Sequence, residues 1–141
     1  MAIAVLASAA TVMTTRSAGA EAQWMWRDVH EYRVALAVES VHDPAADDPR
    51  HAPAFDHRFT VIVSASGDRA PVEVESVSLD VAVRSYSGTV LPLARASGEG
   101  KSVFEGNVRM ARGQTYRILV HFRPAGSPMT REAQYEYRHH H

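Results

Sequence analysis

The chain has 141 residues, 45% apolar and 22% charged, and its 15 Lys plus Arg nearly balance its 16 Asp plus Glu for a formal net charge of -1. That is the composition of one ordinary globular domain, large enough to bury a core without covalent staples, and it offers no electrostatic pull toward a nucleic-acid backbone. With no cysteine in the chain, a thiol nucleophile, a disulfide framework, a cysteine zinc site and a lipoprotein anchor are all excluded.

Residues 2–13 are apolar or small, and Ala18-Gly19-Ala20 and Ala20-Glu21-Ala22 both fit the small-x-small pattern of a signal-peptidase site. The apolar run is shorter than the roughly 20 residues a membrane span needs. Residues 1–20 are therefore predicted to be an export signal, which makes the protein periplasmic or secreted, with no stable membrane span in its mature part. The only cation in this stretch, Arg16, follows the apolar run instead of preceding it, and a retained Ala-rich helix is the alternative. Residues 21–30 read as a lead-in. Within it Trp24 and Trp26, spaced by two, share one face of an extended segment and are expected to cover one end of the core. An exposed aromatic platform for a sugar or a partner is the second reading.

From Glu31 the dominant period is two, the period of a strand. Tyr32, Val34, Leu36 and Val38 form one apolar stripe; Phe59, Val61 and Val63 form the next. Val72 and Val74 share one parity, whereas Val77, Leu79, Val81 and Val83 share the other. A one-residue slip of that kind flips every later side chain, so a bulge or break is expected near Glu75-Ser76. A strand is expected over about 102–110, another carries Tyr116, Ile118, Val120 and Phe122, and the last carries Ala133, Tyr135 and Tyr137. Gly67, Gly88, Gly98, Gly100, Gly113 and the Pro124–Pro128 stretch supply turns between them. The reading is an all-β, antiparallel, Ig-like β-sandwich of about seven strands over residues 31–138, followed by His139, His140 and His141 as a tail, native or a purification tag.

Residues 59–137 resemble the small exported Ig-like domains of the YtkA-like and FixH-like group, with copper-chaperone sandwiches of the CopC type as more distant look-alikes. The resemblance rests on Gly67-Asp68-Arg69-Ala70-Pro71-Val72, the alternating strand at 77–83, Phe104-Glu105-Gly106, Gly113-Gln114-Thr115-Tyr116 and Val120-His121-Phe122. It implies an exported binding domain, with transition-metal handling as the sharper expectation. The chain departs from the group in having Met110 and His121 in this span but no dense Met/His cluster.

The stretch 41–56 carries Pro44, Pro49 and Pro53, which forbid an interior strand. It also holds His42, Asp43, Asp47, Asp48 and His51 and runs into Asp56-His57. Imidazole and carboxylate together suit copper, zinc or nickel better than calcium, although a solvated polar loop has the same composition. His121 lies on the polar parity of its strand, and a hairpin to the last strand would bring Thr130 and Glu132 to its side. The predicted metal ligands are thus His42, His51, His57 and His121, for copper or zinc. Met110 and Met129 are soft donors in principle and core fillers by habit. The chain contains no G-x-S-x-G elbow, no H-E-x-x-H and no phosphate-binding glycine loop, so no catalytic or organic-cofactor site is assigned. The expectation is a non-enzymatic metal-accessory domain. The alternative is an assembly module that docks on an envelope protein through a sheet face or edge.

Overall fold

The computed structural model describes residues 22–68, 70–83, 88–96, 102–111 and 113–139; the export signal predicted at 1–20 lies outside them. Among the described residues eight strands run in chain order: β1 (Gln23–Val29), β2 (Tyr32–Ser40), β3 (His57–Ala65), β4 (Val74–Val83), β5 (Thr89–Arg95), β6 (Val103–Val108), β7 (Thr115–Pro124) and β8 (Arg131–Arg138). All pairings are antiparallel, in the spatial order β1-β2-β3-β6-β5-β4-β7-β8. β5 carries the chain from one layer to the other. Its residues 89–93 pair with β4, and Ala94 and Arg95 pair with β6. The all-β antiparallel class stands, with one strand more than predicted.

The two end strands of this order come together and bring the layers face to face. Arg27 Nε on β1 donates to the Gln134 carbonyl on β8 at 3.1 Å, and the Tyr135 hydroxyl on β8 donates to the Val34 carbonyl on β2 at 2.7 Å. The Arg27 guanidinium also sits 5.3 Å from the centre of the Tyr135 ring. Between the layers lie the stripes read from the sequence: Val34, Leu36 and Val38; Phe59, Val61 and Val63; Val77, Leu79 and Val81; Tyr116, Ile118, Val120 and Phe122; Ala133 and Tyr135. Each large apolar side chain so buried is worth about 1.5–3 kcal/mol. Exposed ion pairs contribute far less, so this interior is what holds the sandwich together.

Three local features follow from particular residues. The register of β4 against β7 shifts between Val74 and Ser76, where the change of parity predicts a bulge. The lead-in at 21–30 is itself mostly strand, because β1 pairs with β2 along its whole length. Its mixed Trp-Met-Trp-Arg-Asp sequence hides the period of two, as befits a strand paired on one side only. The β1–β2 hairpin turns at His30, whose φ of 55° is the one positive value on a described non-glycine residue.

Trp24 and Trp26 do share a face, but it is the outer face of the sheet. There they register with Ala37 and Ala35 on β2, and these with Thr60 and Ile62 on β3. The rings stack with centroids 6.2 Å apart and planes 21° apart. Ala35 and Ala37 are buried although they point away from the core, whereas Trp26 stays 54% exposed. The pair therefore shields the outer side of β2, not an end of the core.

Candidate metal centre

The proline-rich connection is ordered by its own carboxylates. A 3-10 turn (Pro44–Asp47) is capped by Asp43, whose carboxylate accepts from Ala45 N–H at 3.0 Å and from Ala54 N–H at 2.7 Å across the loop. The Ala54 N–H foremost, against the cost of burial, and then the Ala45 and Phe55 N–H groups and the His42 charge hold the Asp43 carboxyl below its usual range. The Val41 N–H closes the base of the loop on the Asp56 carbonyl at 2.9 Å.

Each predicted ligand sits beside its own carboxylate. His42 Nε2 lies 2.8 Å from Asp47 Oδ1, and His51 Nδ1 lies 3.3 Å from Asp48 Oδ2; both histidines are well exposed. His121 is in register with Glu132, as the hairpin argument predicts, with Nδ1 and Oε1 3.8 Å apart. It lies on β7, whereas His57 opens β3 in the other layer. Among the described residues no three His, Asp or Glu side chains group so as to hold a metal ion. The four histidines are thus not brought to one point.

His57 differs from the other three. It is 3% exposed, its Nδ1 lies 2.7 Å from Asp56 Oδ1, and its Nε2 is buried with no hydrogen-bond partner. Asp56 Oδ1 also accepts the Met110 N–H at 2.9 Å. Burial raises the Asp56 carboxyl, but the His57 and Met110 hydrogen bonds and the nearby His57 and His139 charges outweigh it and keep the group below its ordinary value. A carboxylate beside Nδ1 favours the tautomer that carries its proton there, which in the neutral ring leaves the Nε2 lone pair for another partner. Leaving a buried polar nitrogen unpaired costs about 1–3 kcal/mol.

Against the His57 ring stands His139, with centroids 4.5 Å apart and planes at 84°. His139 is only 7% exposed. Its N–H donates to the Gln114 carbonyl and its carbonyl accepts from the Gly113 N–H, both at 3.0 Å. It therefore continues the β7–β8 pairing one residue past the predicted domain end at 138. In the sequence His139 reads as tail, yet the signal is present: Ala133, Tyr135, Tyr137 and His139 share one parity, as do His57, Phe59, Val61 and Val63. Both histidines are the next step of a core-facing stripe. Met110 is a buried core residue at the same corner, whereas Met129 is 57% exposed.

No protein-family profile matches the chain, and no curated protein matches it significantly. Solved structures match by fold. A DUF4426 family protein from Pseudomonas aeruginosa superposes with a TM-score of 0.59 at 18% identity, covering 83% of this chain and 94% of that one. FetP of uropathogenic Escherichia coli strain F11, recombinantly expressed in the periplasm of E. coli, gives 0.62 at 11% identity over 86% and 96% of the two chains. A copper-bound variant of the same FetP gives 0.62 at 9% identity over 85% and 92%. At these identities the likeness is one of fold.

Proposed function

We propose that this domain binds a transition-metal ion of the copper–zinc class in the cell envelope, as an accessory protein and not as an enzyme. The observation that carries the reading is His57: a buried imidazole oriented by a carboxylate through Nδ1, with its Nε2 lone pair unused. This is how proteins prepare a histidine to ligate a metal. The donor chemistry fits copper or zinc, for which imidazole is the standard ligand. The fold shared with copper-bound FetP adds support, as does the resemblance of residues 59–137 to the YtkA-like group. The envelope location is supported by the leader-like residues 1–20 and by the periplasmic expression of FetP.

Calorimetric titration of the purified chain with Cu(II), Cu(I) and Zn(II) tests the reading. Binding of about one ion per chain, micromolar or tighter, is expected, and nothing tighter than millimolar for any of the three overturns it. The alternative of an assembly module for an envelope partner has one observation in its favour. The stacked Trp24–Trp26 pair leaves Trp26 half exposed on the outer sheet face. A metal-free protein that requires Trp26 to hold an envelope partner would favour it.

A further inference from the structure

We propose that His57 and His139 ligate one metal ion together and that the ion fastens the two layers of the sandwich at this corner. This deepens the metal-binding reading and rests on it. His57 opens β3, and His139 follows β8, the far end strand of the other layer. The polypeptide positions both residues firmly. The Asp56–Met110 hydrogen bond ties the start of β3 to the end of β6, and the Gly113 and Gln114 backbone groups hold His139 on both sides.

The ring spacing is nearer to that of a bent than of a linear coordination. Two imidazoles on a tetrahedral ion, with metal–nitrogen bonds of about 2.0–2.1 Å, have centroids about 5 Å apart, and a linear pair would need about 6 Å. The observed 4.5 Å is short of the tetrahedral value, so the rings would have to part slightly to admit the ion. It is much further from the linear one. Asp56 is then a positioning residue: its Oδ1 lies 2.7 Å from His57 Nδ1, which orients the ring and turns Nε2 toward the ion. The Met110 main chain is bonded to Asp56 and its side chain is buried in the core; its thioether is of the soft donor type that suits copper.

An ion that binds only when β3 and the end of β8 are docked stabilises the folded state by linkage. The unfolded chain holds these residues far apart in sequence, at 57 and 139. Binding should therefore read out as heat resistance as well as affinity. An ion captured by the exposed loop histidines His42 and His51 would join nothing across the layers.

The experiment follows thermal melting and metal affinity in parallel, using Zn(II) and Cu(II) as the probes. It compares the full chain with His57→Ala, His139→Ala, His139→Phe, a His42→Ala/His51→Ala double variant and a His140→Ala/His141→Ala double variant. His139→Phe keeps a ring against His57 and guards against a variant that merely unfolds. The expected result is that metal raises the melting temperature of the parent and of both double variants. Each single variant at 57 or 139 should lose that rise and bind roughly tenfold or more weakly. Parent-like affinity and melting shift in His139→Phe would overturn the proposal while leaving metal binding itself in place. A parent chain that binds no metal would overturn both.

Discussion

Replacing Tyr135 with Phe isolates the bond that joins the two end strands. The Tyr135 ring is 1% exposed, and its hydroxyl donates to the Val34 carbonyl at 2.7 Å. Phenylalanine keeps the ring, its packing and its contact with Arg27, so the loss is that of one buried hydrogen bond, about 0.5–1.5 kcal/mol. For a domain of this size that corresponds to a fall of about 2–7 °C in melting temperature. Truncation to Ala would cost about 3–5 kcal/mol through the cavity, and so measures packing instead of the bond. Urea unfolding followed by tryptophan fluorescence gives the difference directly, with an unchanged slope as the control that the same surface is exposed. There is also an alkaline arm. Burial pushes the Tyr135 phenol above its ordinary value, against the opposing influence of Arg27. The stabilisation from keeping it neutral is complete below about pH 10 and is lost as pH rises from there toward the higher folded value. The Phe variant should lack that part of the alkaline decline. Equal stability of the two proteins at neutral pH, together with the same alkaline profile, would refute the view that this hydroxyl joins β8 to β2.

Three further outcomes follow from the backbone and the loop. His30→Gly should stabilise the β1–β2 hairpin by about 0.5–1 kcal/mol in the same urea assay, because φ of 55° strains a residue with a Cβ and not glycine; a loss of stability would contradict this. Gly106→Ala should destabilise by about 1–3 kcal/mol, since its Cβ would stand 2.6 Å from Leu93 Cδ2 in the packed interior, and a neutral result would mean that Leu93 yields freely. Asp43 has a lowered folded value, so its stabilising contribution is present above the unfolded carboxylate value of about 4 and is lost as pH falls through the folded one. Asp43→Asn should therefore lower stability at pH 7 and flatten the acid limb of a pH–stability curve, and an unchanged acid limb would show that the loop is not held by this carboxylate.

Most of the sandwich was legible because burial imposes a period of two, and four of the core stripes stand in the sequence as alternating Val, Leu, Ile, Phe and Tyr. Even the bulge at Glu75 announced itself through the change of parity on its two sides. β1 escaped because an edge strand has less need to alternate, and its aromatic residues lie outward over Ala35 and Ala37. β5 was obscured by Pro92, which sits on a strand that changes partners. The loop part of the metal-ligand prediction, His42, His51 and His57, rests on nearness in sequence, whereas the loop spends its carboxylates on N–H groups and on the histidines beside them. What pairs His57 with His139 is position on core-facing stripes separated by 82 residues, 139 minus 57. A run of terminal histidines conceals that position, because it looks the same whether it is folded or appended.

The most direct test is long-range ¹H–¹⁵N correlation of the imidazole rings during titration of the full chain with Zn(II). The account predicts that, at about one equivalent, the Nε2 resonance of His57 and one ring nitrogen of His139 move to metal-bound positions. His57 Nδ1 should remain protonated on Asp56, and His42, His51 and His121 should respond only beyond that point. A first equivalent that moves the loop histidines or His121 and leaves His57 and His139 unchanged would contradict it.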